Sequence, residues 1–148
     1  MSYNIQVRIY QSDIHNFFHV VERGVWNYAN GGSWTEQDGA LKLAMGGSGT
    51  SGILRFKPEN GDEAFFVIAG VHNYKPWVDI VTGLANNVTG ASALPEYYNN
   101  THAERVKARE AQRTTCSVYN VARRTISATF KSGEGHDLAL DIVIGNKG

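Results

Sequence analysis

Both ends of the chain alternate polar and apolar residues, and that period of two constrains the fold more than any other feature. Near the start, Tyr3, Ile5, Val7 and Ile9 share one face while Asn4, Gln6 and Arg8 share the other. Near the end, Leu138, Leu140, Ile142 and Ile144 alternate with Ala139, Asp141 and Val143. Successive side chains of a strand point to opposite faces, so each segment reads as a strand buried on one side. Two sheets packed face to face bury such half-apolar strands economically.

Further strand signals follow in order. Phe17 to Val21 is apolar and rich in strand formers, and Trp26 and Tyr28 continue with period two up to the turn residues Asn30, Gly31 and Gly32, which predicts a hairpin. Leu41, Leu43 and Met45 alternate with Lys42 and Ala44, and the run MGGSGTSG turns the chain into Ile53 to Lys57, a second expected hairpin. Pro58, Asn60 and Gly61 mark a turn before the strand Glu63 to Val71.

In the stretch GVHNYKPWVDIVT, Gly70 to Thr82, the period changes. Phe65, Val67, Ala69 and Val71 alternate, whereas Trp77, Ile80, Val81 and Leu84 recur at helical spacing, so a strand is expected to become a helix near Pro76, where proline suits a first turn. His72, Asn73 and Asp79 are the polar groups placed at that corner. Pro95 to Tyr98 reads as a short helical turn. Thr101 with Glu104 matches a capping box opening a helix to about Gln112. Its charges, Glu104, Arg105, Lys107, Arg109 and Glu110, outnumber Ala103, Val106 and Ala111, so most of it is solvated or lines a site. Cys116 and Val118, then Ile126, Ala128 and Phe130, mark two more strands, and Ser132 to His136 reads as a turn. The expected fold is mainly β: an antiparallel sandwich with an inserted helix-loop-helix, in a single domain over residues 1–148.

Composition narrows function by exclusion. Lys plus Arg and Asp plus Glu both number 14, which leaves no net charge to attract nucleic acid or an acidic membrane. Cys116 is the sole cysteine, so no internal disulfide forms, as suits a reducing compartment. The N-terminal alternation contains no apolar run of signal-peptide or membrane-span length, and a cytoplasmic location is expected. On that expectation the sequons at Asn87 and Asn99 are chance matches. Among the five histidines, His15 and His19 have i, i+4 spacing but sit in a strand-like context, so no metal site is read. Asp79 has no second carboxylate placed for glycoside hydrolysis, and no catalytic residues or cofactor are assigned. The glycine-rich Gly46 to Gly52 lacks the lysine of a phosphate loop and leads into a strand. It reads either as a tight hairpin or as a place where a ligand meets backbone N–H groups beside the Ser48 hydroxyl.

Read together, YANGG at Tyr28 to Gly32, MGGSGTSG at Met45 to Gly52, GVHNYK at Gly70 to Lys75 and WVDIVT at Trp77 to Thr82 resemble the fungal fruit-body lectins, the family of the common mushroom agglutinin. Glu96 to Tyr98, the Arg105-to-Gln112 helix and Tyr119 to Ala122 extend the resemblance over essentially the whole chain. It implies an actinoporin-like β-sandwich, a homotetramer, no catalysis, and two carbohydrate sites. Galactose-β1,3-N-acetylgalactosamine, the T-antigen disaccharide, would be held by Ala29, Ser48, Gly49, His72 and Asn73. Terminal N-acetylglucosamine would be held by Asp79, Ile80, Val81, Thr82, Arg105 and Tyr119. Such a lectin would bind glycans and glycoproteins in a defensive role, without nucleic acid or membrane insertion. The alternative is an actinoporin-like membrane-active toxin, which would carry an amphipathic N-terminal helix where this chain alternates as a strand.

Overall fold

The structure, a computed structural model, describes residues 2–132 and 135–148. Its strands are β1 (Tyr3–Gln11), β2 (Phe18–Trp26), β3 (Gly32–Gln37), β4 (Ala40–Met45), β5 (Ser51–Pro58), β6 (Ala64–His72), β7 (Lys75–Leu84), β8 (Thr115–Tyr119), β9 (Thr125–Ser132) and β10 (Asp137–Ile144). They form a six-stranded sheet in the order β3-β4-β1-β10-β9-β8 and a four-stranded sheet in the order β2-β5-β6-β7. The helical segments, all between β7 and β8, are α1 (Gly90–Ala93), a 3-10 turn at Leu94–Tyr97 and α2 (Ala103–Glu110).

The alternating ends behave as expected. Ile5, Val7, Leu138, Leu140 and Ile142 point inward and meet Leu54, Phe56, Phe65, Val67, Val78 and Ile80 of the facing sheet in one core. Phe56 and Phe65 stack within it, with ring centroids 4.6 Å apart. The first and last strands lie side by side and parallel, Ile5 opposite Leu138 and Val7 opposite Leu140. A parallel pair needs a crossover, and here everything from β2 to β9 supplies it. The other pairings are antiparallel.

Trp77 to Leu84 is not a helix. It is β7, antiparallel to β6 from His72 opposite Lys75 to Ala64 opposite Leu84. The junction is a two-residue hairpin in which Asn73 (φ 48°) and Tyr74 (φ 68°) are both left-handed, the backbone of a type I′ turn. The helical spacing misleads because β7 is buried on both faces. Val78 and Ile80 enter the core between the sheets, while Trp77 and Val81 enter a second core beneath the helices with Ile68, Leu94, Tyr97 and Ala108. A strand covered twice reads as a near-continuous apolar run, and alternation is lost. Pro76 is accommodated because β7 is an edge strand, where a missing N–H leaves no ladder partner unpaired.

Neither expected hairpin forms. β2 pairs with β5, and the Asn30–Gly32 turn carries the chain into the other sheet. β4 pairs with β1 and β3, so the glycine-rich run is also a passage between sheets. Nor does the capping box form: His102 is the N-cap of α2 without a side-chain bond, and Thr101 Oγ1 instead donates to Asn99 Oδ1 at 2.6 Å, a local side-chain bond competing with the cap. The Ser132–His136 turn includes residues 133 and 134, which lie outside the described residues.

Candidate functional site

Three connections converge at one end of the four-stranded sheet: the segment after β2, the glycine-rich passage between β4 and β5, and the β6–β7 hairpin. With the C-terminal half of α2 they enclose a cleft of about 530 Å³ lined by Trp26, Tyr28, Ser48, Gly49, His72, Asn73, Tyr74, Tyr98 and Arg109. Ser48, Gly49, His72 and Asn73, four of the five residues carried over for a galactosyl site, thus meet in one place. Ala29 is exposed and follows the lining residue Tyr28, with left-handed backbone (φ 43°).

Backbone hydrogen bonds hold the cleft in shape. Gly49 N donates to Val71 O at 2.8 Å, and Val71 N to Thr50 O at 3.2 Å, which ties the glycine-rich passage to the hairpin. Gly49 has φ 106°, and a Cβ there would stand 2.3 Å from Tyr28 Cδ1, so only glycine lets the Tyr28 ring lie over this segment. Thr50 Oγ1 accepts from Tyr28 N at 3.1 Å and donates to Tyr28 O. Ser48 Oγ accepts from Tyr74 N at 2.9 Å. Its own O–H remains available to a ligand.

The cleft's rear wall is aromatic. Trp26 and Tyr98 stack with centroids 4.4 Å apart and planes 5° from parallel, and the Arg109 guanidinium lies 4.8 Å from the Tyr98 ring centre. Tyr98 shares a 2.6 Å hydrogen bond with Ser51, and burial pushes its phenol pKa up despite that bond. Tyr28 and Tyr74 are, by contrast, 63% and 77% exposed. A bulky left-handed residue such as Tyr74 costs of order 1–3 kcal/mol of backbone strain, and its ring is left largely exposed.

The second set of residues is more dispersed. Asp79 is half-buried, and its Oδ2 accepts from Tyr97 Oη at 2.6 Å. Burial, and then the Asp79 charge, keep the Tyr97 phenol protonated as the donor. Arg105 is turned toward Glu96, with its Nε 3.6 Å from Oε1. Arg105 and Val81 line a small cavity of about 50 Å³ with Glu96 and Tyr97. Ile80 faces the core between the sheets, and Thr82 is partly exposed. Tyr119, 75% exposed, stands on β8, the edge strand of the other sheet. Packing of β8 beside β7 is marked by Cys116, whose thiol meets the Ile80 backbone and is pushed up in pKa by burial.

Trp26, Tyr28, Tyr74, Tyr98 and Arg109 line the main cleft without having been singled out for it. The period-two pair Trp26 and Tyr28 beside Ala29 was a usable signal. For Arg109 the helix pattern carried none, since charge on a helix face reads as solvation. Among the described residues no group of three His, Cys, Asp or Glu side chains could hold a metal ion.

A β-sandwich with a shallow, mostly uncharged cleft of short polar groups and exposed aromatic rings defines a carbohydrate-binding class of protein. Residues 1–142 match the model of the fungal fruit body lectin family, and the chain belongs to that family. It is 42% identical to the Boletus edulis lectin over 144 residues, which is 97% of this chain and 99% of that one. Among solved structures it is similar to the wild-type lectin XCL of Xerocomus chrysenteron, with a TM-score of 0.91 and 42% identity over 97% of this chain and 99% of that one. A methionine-substituted form of the same lectin gives 0.91 and 43%, over 97% and 98%. The chain is therefore a carbohydrate-binding protein of a non-enzymatic family.

Proposed function

We propose that the large cleft binds galactose-β1,3-N-acetylgalactosamine and that a separate site about Asp79, Ile80, Val81, Thr82, Arg105 and Tyr119 binds terminal N-acetylglucosamine. The observation that carries the first reading is the convergence of Ser48, Gly49, His72 and Asn73 on one cleft, with Ala29 beside it. An uncharged sugar is discriminated by short, fixed donors and acceptors that leave the wrong epimer unpaired, and the Ser48 hydroxyl and Asn73 amide are of that kind. Tyr28 and Tyr74 offer ring faces to the apolar side of a galactose ring. At the second site Asp79, oriented by Tyr97, accepts sugar hydroxyls, and the exposed Tyr119 supplies a ring and a phenol.

Single sites of this type are weak, and we propose a homotetramer in which several sites act together through avidity. Its targets would be glycoproteins carrying these glycans, its role defence, and its location the cytoplasm until tissue is damaged. A glycan array tests the sugar assignment: strong signals for the disaccharide and for terminal N-acetylglucosamine are expected. An array empty at micromolar protein would overturn it. Leakage of liposomes that carry no glycan would instead favour a membrane-active toxin.

A further inference from the structure

A guanidinium only donates hydrogen bonds. The 2.9 Å contact between Arg109 Nη1 and His72 Nδ1 therefore requires a bare Nδ1 and puts the ring proton on Nε2. We propose that Arg109 is a positioning residue of the galactosyl cleft, locking His72 as a neutral ring whose Nε2–H edge is presented to a sugar oxygen. The proposal rests on the galactosyl reading of the cleft for the identity of that oxygen, and not for the state of the ring.

Arg109 is itself immobilised. Its Nε donates to Tyr97 O at 2.9 Å, and its guanidinium lies over Tyr98, which is backed by Trp26. One turn on, Gln112 Nε2 donates to His72 O at 2.6 Å. The end of α2 and the residues just past it thus grip His72 by ring and by backbone. Beyond the ring, Asn73 Nδ2 stands 3.4 Å from His72 Nε2. Two donors do not bond each other; side by side they suit a single acceptor oxygen with two lone pairs, and a sugar hydroxyl is one.

The surroundings keep the ring uncharged. Burial, and then the Arg109 charge, push the His72 pKa below its ordinary value, with Glu110 opposing. Lys75 across the hairpin and the Tyr28, Tyr74 and Tyr98 phenols are other titratable groups on the elements packed about it. A proton added at Nδ1 would point at the guanidinium, so the charged ring is disfavoured here and His72 takes up its second proton below the ordinary imidazole value.

The test combines nitrogen-15 imidazole spectra of the unliganded protein with calorimetric titration of galactose-β1,3-N-acetylgalactosamine, for wild type, Arg109→Leu and Arg109→Lys. Wild type should show His72 protonated at Nε2 and bare at Nδ1, a titration midpoint below the ordinary value, and one affinity from about pH 7.5 to about pH 6. Arg109→Leu should mix the tautomers, raise the midpoint, and weaken neutral-pH binding about tenfold. Its affinity should recover as pH falls, because an imidazolium again carries a proton on Nε2. Arg109→Lys, which keeps one donor and the charge, should restore most of the affinity and the flat profile. A wild-type proton on Nδ1 would overturn the proposal, and so would a folded leucine variant with an unchanged midpoint and pH-independent binding. If Arg109→Leu does not fold, the wild-type spectra and the lysine variant still decide. If wild type binds no disaccharide, the galactosyl reading fails, while the spectra separately decide whether the ring is locked.

Discussion

Arg124 and Arg109 sit at opposite ends of the four-stranded sheet's strands, and their partners differ in kind. Arg124 is fully buried. Its Nε donates to Glu63 Oε1 at 2.8 Å, and its Nη1 to Asp13 Oδ2 at 3.0 Å and to Gly145 O at 2.7 Å. Asn120 joins the cluster through Glu63 at 2.7 Å. Three connections and the segment after β10 are tied together, and the polar groups spend their bonding capacity on one another. Among the described residues Arg109 has no carboxylate within ion-pair distance; it bonds neutral acceptors and leaves Ser48, His72, Asn73 and two exposed tyrosine rings facing a cleft. Closed polar networks hold a fold together; open ones are arranged for a partner that is not part of the chain.

The comparison breaks most readily at the closed end. Arg124→Met should be clearly destabilising, because it removes the buried guanidinium that Glu63, Asp13 and the Gly145 carbonyl share. Urea unfolding measures that loss. Protein that remains folded should still bind the disaccharide, whereas equal loss of binding and stability would mean that the two ends are coupled.

At the open end, Asn73→Ala should abolish galactosyl binding by calorimetry and spare N-acetylglucosamine, while Asp79→Ala should do the reverse. Each is a loss of about 2 kcal/mol or more of binding. Joint loss of both ligands in either folded mutant would defeat the two-site reading. Tyr74→Gly should move stability and binding in opposite directions. Glycine adopts the left-handed turn position without the strain of about 1–3 kcal/mol, a gain only partly offset by its entropic cost of about 0.5–1 kcal/mol, and removal of the ring should weaken sugar binding. A destabilised Tyr74→Gly would show that the ring serves the fold.

The smallest effect expected is on acid stability. The Asp13 carboxyl is lowered by its His15 backbone bond and by Arg124, and the Glu63 carboxyl chiefly by Arg124. A carboxylate with a depressed folded pKa contributes stability above its unfolded value and loses it as pH falls through the folded one. Denaturant midpoints should therefore be steady above about pH 5 and decline below about pH 4. Arg124→Met should flatten that decline.

Much of the main cleft was legible because its residues cluster in turn-forming segments: Ser48 and Gly49 among glycines, His72 and Asn73 at the end of an alternating strand. The surroundings of Asp79 were less so. Asp79 was visible as a polar residue in an apolar stretch, but nothing local showed that Arg105 stands beside Glu96. Arg109 was invisible for a related reason. On a helix with few apolar positions, nothing local distinguishes the arginine that turns inward from those that do not.

By itself the sequence determined which residues face inward, since a strand's side chains alternate whatever lies beside it, and so it determined a two-layered β fold with a helical insert. It also carried enough separated motifs to mark the family. Only the tertiary structure decided which strands are neighbours, that β1 and β10 run parallel, and that Trp77 to Leu84 is a strand covered on both faces. Side-chain period reports the face a residue occupies and not the strand across from it. The cleft likewise exists only where loops from distant parts of the chain are brought within hydrogen-bond distance by pairing in the sheets.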